Sequence, residues 1–519
     1  MYVLSFDCLK DPGSVEARSR ATDGFSATTR VFDIRSQGTH IASHTATGWW
    51  LEESGGAAPR PSLDGAVDAD VVVIGGGYTG MWTAWHLLDS EPGIRVLLLE
   101  GGVCGHGPSG RNGGFCESLW FSAPALRERF GDAAARTLLD ASSETVSAIG
   151  ARCRDNDVDA WFAQSGDLCA STGAAYAEAG LEAVRAAAAL GKPEAVQDLT
   201  AEQLRERVDS PAFGRGVFVP DFATVQPARL ALGLRQRLIE RGVEIYEHSR
   251  VRALRVERGG GLPARGNGRG AAQVVAETPA GRVRAGAAVL AVGPSARSIA
   301  PLRSRLSVTS SHIVLTEPVP DVLDEIGWTG GECITDGRTL LHYFRTTRDG
   351  RIVFGWGGGR LAYGGRLNGH IEVDPGAAAG ARRHLLRYFP ALEGRAITDA
   401  WGGPIDVSPS HIAQVGTLPG TPVHYAFGYT GNGVGPTHLA ARALASLALD
   451  RRDRYTALPI VGSDAGAWVP PEPLAWLGGS VVRRAFLRRE EALERGEQPD
   501  LLTRAACAVP GALGIHVAR

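Results

Sequence analysis

The sequence predicts a mixed α/β (α+β) fold: a Rossmann-like dinucleotide-binding domain joined to a discontinuous second domain built on an antiparallel sheet. Three observations predict it. The stretch "VVVIGGGYTG" (residues 71–80) runs from a buried-strand pattern into a glycine cluster and on into a helical pattern. A second apolar strand pattern ending in an acid, "IRVLLLE", follows at 94–100. Residues 306–375 then alternate strands and turns before an α/β pattern returns at 401–450.

Taken in order, residues 1–65 lack sustained periodicity and read as a loosely ordered extension. The first part of the nucleotide-binding domain is placed at 66–150. Its strand is "DADVVVI" (68–74), and Gly75, Gly77 and Gly80 follow with G-x-G-x-x-G spacing. The first glycine permits the tight turn, the second lets a diphosphate approach the backbone, and the third lets helix and strand pack closely. Tyr78 and Thr79 open the helix, whose free N–H groups and positive dipole end suit an anion. Glu100 lies twenty residues past Gly80, where a carboxylate can accept hydrogen bonds from a ribose. Residues 151–215, within an Ala-rich helical stretch, are assigned to the second domain, and 216–300 to the return of the first. Within that return, "GGGLPARGNGRG" (259–270) reads as a hairpin tip, and "VRAGAAVLAVGPSA" (283–296) as a buried strand reaching Gly293. The second domain resumes at 301–400, the first closes at 401–450, and 451–519 form a tail with an amphipathic helix.

Composition narrows the function. A chain of 519 residues with 44% hydrophobic content can bury a large core, and a formal net charge of −2 carries no polyanion-binding signature, so nucleic acid is not expected as a partner. No apolar run reaches the length of a membrane span, and the N-terminus lacks a basic region followed by an apolar one, so the cytoplasm is the expected location. Seven scattered cysteines without C-x-x-C argue against a disulfide framework and against a metal site. Lys10 and Lys192 are the only lysines, which nearly excludes a buried catalytic lysine.

Three longer segments resemble one family. "CGHGPSGRNGGF" (104–115) resembles the S-G-R-N-G-G segment of the D-amino-acid oxidase superfamily, in the branch that holds the γ-glutamylputrescine oxidoreductases. "LHYFRTTRDGRIVFGWGGG" (341–359) is similar to that branch's substrate-domain sheet, and "AFGYTGNGVGPTHLAARALA" (426–445) to its closing motif. The resemblance implies FAD. It assigns Ser109, Gly110, Arg111, Asn112, Gly113 and Gly114 to a loop beneath the diphosphate and flavin edge, with Ser109, Arg111 and Asn112 as donors. It assigns Thr430, Gly431, Asn432, Gly433 and Val434 to a turn feeding a helix aimed at the flavin. Gly293 and Val251 match positions whose backbone meets the cofactor, Val251 at the adenine. Thr430 and Asn432 read as cap-type residues.

The chemistry implied is oxidation of an amine or amino acid at its C–N bond by hydride transfer to the flavin, giving an imine that water hydrolyses. The substrate is a small amine, with polyamine derivatives, N-methyl amino acids and aminophosphonates all suited. The electron acceptor is oxygen or another oxidant. Asn432 and the helix after it are expected to stabilise charge on the reduced ring. His312 is a candidate proton acceptor on a strand walling the site. Alternation puts Tyr343 and Arg345 on one strand face and His342 on the other, and Tyr343 with Arg345 is the favoured pair, Arg345 holding an acidic substrate tail. Trp356 and Trp401 are candidate walls. Cys104, His106 and Cys116 are placed near enough for a covalent flavin link. Lysine-bearing relatives use that residue to speed reaction with oxygen, so its absence favours a dehydrogenase. A flavin monooxygenase and a non-catalytic nucleotide-binding protein remain as alternatives on the same scaffold.

Overall fold

Val71, Val72, Val73 and Ile74 are consecutive β-branched side chains, and all four are buried, each worth roughly 1.5–3 kcal/mol. A strand with both faces covered belongs inside a sheet, and the computed structural model, which describes residues 2–5, 41–257, 273–463 and 466–516, places it there. Gly65–Ile74 pairs in parallel with Gly281–Leu290 on one side and Val96–Leu99 on the other. Val423–Phe427 and Glu244–Tyr246 extend this parallel centre. Antiparallel strands, including Tyr2–Ser5, complete nine among the described residues. Helices Tyr78–Ser90 and Val434–Ala448 leave the same edge of the sheet and pack side by side within its largest core cluster.

The second sheet also has nine strands among the described residues. Ile397–Val407, Ser307–Thr316, Ile352–Trp356 and His342–Thr346 run antiparallel in that order. One face carries Val314, Phe344, Phe354 and Ala400 and is covered by helix Pro375–Tyr388. The other carries Ile313, Leu315, Val353 and Trp401.

Two expectations are corrected here. The leader is not loose from residue 41 onward. Ile41–His44 pairs in parallel with Ile397–Ala400, and the short helix Trp49–Glu53 buries Trp50 against Trp401. A single strand and a five-residue helix show no periodicity, so only tertiary packing reveals them. The sheet boundaries also shift: Gly216–Val219 pairs with Asp167–Ala170, and Ile397–Val407 is a strand of the second sheet, so neither 216 nor 401 begins a return to the first. The predicted hairpin tip at 259–270 falls outside the described residues.

Candidate active site

The glycine turn is shaped by contacts no side chain could survive. Gly75 has φ +113°, and a Cβ there would lie 2.2 Å from the carbonyl oxygen of Ala291, at the end of the neighbouring strand that leads to Gly293. A Cβ on Gly80 would lie 1.9 Å from the oxygen of Gly75, so helix and strand are as close as backbones allow. Gly77 caps the helix with no side-chain hydrogen bond. The N–H of Tyr78 donates to Ser109 Oγ at 2.9 Å, which brings the S-G-R-N-G-G loop onto the helix end. Glu100 accepts from the N–H groups of Gly76 and Gly102, both at 2.7 Å, so its carboxylate sits at the mouth of the turn. The segment holding Val251 runs beside it, with the N–H of Ser249 donating to the oxygen of Glu100.

The closing motif meets this turn from the other side. Thr79 donates to the hydroxyl of Tyr429 at 3.0 Å and ties the two helices together at their starts. Thr430 and Gly431 both have positive φ. The cap assignments are corrected: Gly433 is the N-cap of Val434–Ala448, again without a side-chain cap, while Thr430 Oγ1 accepts from the N–H of Ser408 and donates to Gly428. Asn432 lies in the turn, its N–H on the oxygen of Tyr429. Two residues that the sequence did not single out build this end. Asp406 accepts from the N–H of Gly428 at 2.6 Å, and burial pushes its carboxyl up to about 6. Gly435 lets the helix touch the backbone of Glu117, where a Cβ would come within 2.1 Å of an oxygen. An acid in the apolar alternation of "GGPIDV" was the only sequence signal for the first.

The S-G-R-N-G-G loop is held more by its own side chains than expected. Asn112 donates to the oxygens of Pro108 and Ser109 and accepts from the N–H of Gly114, so it staples the loop. Arg111 is buried and donates to the oxygen of Ala46 at 2.5 Å and to Glu372 at 3.3 Å. It ties the loop to the leader through Nη1, while its Nε is buried with no protein partner. Trp401 donates from Nε1 to the oxygen of Arg111 at 2.9 Å. It supports the loop from the sheet.

Tyr343 and Arg345 reach the loop from the second sheet, on one face as alternation requires. A Cβ on Gly113 would lie 2.7 Å from the ring of Tyr343, and one on Gly114 would lie 2.6 Å from the guanidinium of Arg345. The Tyr343 hydroxyl is 2.8 Å from Ser311 Oγ, and burial raises it to about 12. Arg345 is corrected: its Nη1 is spent on the oxygens of Val225 and Gly114, and burial lowers the guanidinium to about 10. It is a brace, not a fork held out to a substrate.

His312 is corrected as well. It pairs across the sheet with Trp356, as His342 does from the other side, so all three share the face away from Tyr343. His312 sits 3.1 Å from Ser310 Oγ, and burial lowers it to about 4. His342 lies between Asp336 at 2.6 Å and His384 at 2.7 Å. Trp356 therefore walls the reverse side. Cys104 and Cys116 are fully buried, and that burial pushes both thiols far up. His106 is half-buried, and that burial lowers it.

Glycine-only backbone, two helix starts without side-chain caps, an acid beside the turn and an orphaned Arg111 Nε converge on one place. Those groups fit FAD: the uncapped, positive start of helix Tyr78–Ser90 for the diphosphate, Glu100 for the ribose, and the turn from Thr430 to Val434 for the ring. Residues 70–447 match the model of the DAO family, described as FAD dependent oxidoreductase. The chain belongs to the FAD-dependent oxidoreductases of the DAO family. Gamma-glutamylputrescine oxidoreductase of Escherichia coli is 28% identical over 451 residues, covering 86% of this chain and 96% of that one. A probable oxidoreductase, OrdL, of Rhizobium meliloti is 28% identical over 404 residues, covering 75% and 85%. Glycine oxidase of Geobacillus kaustophilus superposes with a TM-score of 0.62 at 18% identity, covering 76% of this oxidoreductase and 99% of that chain. The last is a likeness of fold.

Proposed function

We propose that this FAD-dependent oxidoreductase oxidises the C–N bond of a small amine or amino acid. The observation that carries the reading is the likeness to a relative named for an amine, sustained over 96% of that relative's length. FAD, when bound, takes up a hydride from the carbon beside the nitrogen, and the imine left behind is hydrolysed to an aldehyde or oxo acid. The chain's own part is to present the amine against the loop. Tyr343 and Ser311 line the sheet face that meets Gly113, and their hydroxyls can accept a hydrogen bond from the nitrogen. Neither can hold the ammonium proton at neutral pH, and His312 and His342 lie on the other face, so the amine must lose its proton to water. Asn432 is proposed to act at the ring, from the turn before helix Val434–Ala448.

The substrate class is a polyamine derivative, an N-methyl amino acid or an aminophosphonate. The acceptor is oxygen or, with no lysine near the site among the described residues, more readily another oxidant. The described cysteines form no disulfide, which suits a reducing compartment, and we place the work in the cytoplasm. An anaerobic screen of amines tests the reading: one class should bleach the yellow flavin absorbance. Failure of every amine, with bleaching by NAD(P)H instead, would overturn it in favour of a monooxygenase.

A further inference from the structure

The fold leaves one apolar surface bare. Among the described residues, the exposed large hydrophobic side chains are Tyr363 and nine others, all between Trp468 and Leu513. They lie on or beside two helices, Leu474–Glu494 and Leu501–Ala512, which pack on each other beyond the family-matched region.

The second of these helices is turned inside out. Thr503 and Pro510 face the body and are buried, while Leu501, Leu502, Ala505, Ala508 and Val509 are exposed. Its single charged residue is Arg504. A helix whose apolar stripe points away from its own core leaves that stripe for another surface to bury.

Charge decides between a lipid surface and a second copy of the chain. On the first helix the exposed stripe of Leu474, Leu477 and Val481 continues into exposed Arg484 and Arg488. The hairpin's acids are turned to other work. Glu490 accepts from the N–H of Leu340, Glu494 meets Arg338 and Arg387, Glu497 pairs with Arg495, and Asp500 caps the second helix. Glu491 is the remaining one. An apolar face edged with arginine, flanked by exposed Trp468 and Trp476, matches an anionic bilayer surface, where tryptophan settles at the headgroups and arginine meets phosphate. No described helix is long and apolar enough to cross a membrane, so the contact lies in the interfacial plane.

We propose that the C-terminal hairpin docks the protein on an anionic lipid surface. The test is sedimentation of the FAD-loaded full chain with vesicles of phosphatidylcholine alone or mixed with phosphatidylglycerol. Anionic vesicles should pellet at least about fivefold more protein, and salt should reduce the difference. Leu502→Glu with Val509→Glu should lower pelleting to the neutral-vesicle level while flavin absorbance and amine oxidation persist. Arg484→Glu with Arg488→Glu should remove the salt-sensitive part. The proposal is overturned if wild type stays in the supernatant with both vesicles, or if the Leu502/Val509 variant pellets like wild type. It is equally overturned by a dimer in light scattering that the same variant dissolves without any vesicle binding, which would give the face to a second copy.

Discussion

Arg345 donates from Nη1 to the carbonyl oxygen of Val225 at 2.5 Å. That bond, with a longer one to Gly114 at 3.4 Å, binds the second sheet to the S-G-R-N-G-G loop through backbone carbonyls that accept from one guanidinium. Arg345→Met should leave the buried carbonyl of Val225 without its donor and cost about 1–3 kcal/mol in chemical denaturation. FAD retention should fall with it. Arg345→Lys should change KM alike for anionic and neutral amines. A rise confined to anionic amines would restore the role of substrate anchor.

Glu100 staples the glycine turn through Gly76 and Gly102, and the ribose is its proposed second task. Glu100→Gln keeps the shape but loses charge-assisted bonds of about 1.5–3 kcal/mol, so FAD affinity should drop about tenfold or more. Glu100→Arg should purify colourless. Full yellow occupancy in Glu100→Arg, read from the flavin-to-protein absorbance ratio, would remove Glu100 from the cofactor site.

The oxygen reaction should be slow. Lys192 pairs with Asp140 at 3.6 Å on the surface of the Ala-rich helical region, and Lys10 lies outside the described residues. Stopped-flow mixing of reduced enzyme with air-saturated buffer should give reoxidation about tenfold or more slower than with an artificial quinone or dye, a barrier difference of about 1.4 kcal/mol. Equal rates would mean that another cation serves oxygen.

Asn432 stands in the turn before an uncapped helix start. Asn432→Ala keeps the glycines and should bind FAD nearly normally. Reduction by saturating amine should slow about tenfold, roughly 1.4 kcal/mol, if Asn432 supplies the proposed donor to the reduced ring or supports it while backbone N–H groups remain. The flavin midpoint potential should fall in parallel. If rate and potential are both unchanged, Asn432 is a turn residue only.

Acid should unfold the cofactor domain through two imidazoles. His86 and His438 lie 4.7 Å apart, ring centre to ring centre, between the two helices that start at the site. Burial, and then the charge of Arg442 among nearby arginines for His86, holds both far below 6.5. The unfolded chain therefore binds more protons than the folded one below pH 6.5, and stability falls as pH drops through that value. Each ring contributes a slope of about 1.4 kcal/mol per pH unit. His438→Leu should flatten the decline in thermal unfolding between pH 6.5 and 5, and an unchanged slope would assign the acid sensitivity elsewhere.

What could be read in advance divides by distance along the chain. Gly77, Gly80 and Glu100 act on neighbours within about thirty residues, so spacing exposes them, whereas the approach of Ala291 to Gly75 comes from a distant strand. The opposition of His342 and Tyr343 follows from alternation within one strand. Whether His312 shares a face with Tyr343 depends on register between strands, and a one-residue offset reverses the answer. The target of Arg111 depends on Ala46 in a leader without periodicity, and the brace made by Arg345 depends on where Val225 arrives. These are long-range facts, and local pattern carries no trace of them.

The leader strand sets a timetable for synthesis. Ile41 has its partner at Ile397, about 350 residues later, and Trp50 packs on Trp401. At about 5–20 residues per second, a ribosome needs roughly 20–70 s to deliver that partner. Throughout that interval Trp49 and Trp50 ride on the nascent chain with at most part of their native cover, from Trp161 and the helix Pro227–Glu240, and without Trp401. Chaperones should engage this enzyme first at its start, and an N-terminal fusion should hamper its maturation more than a C-terminal one.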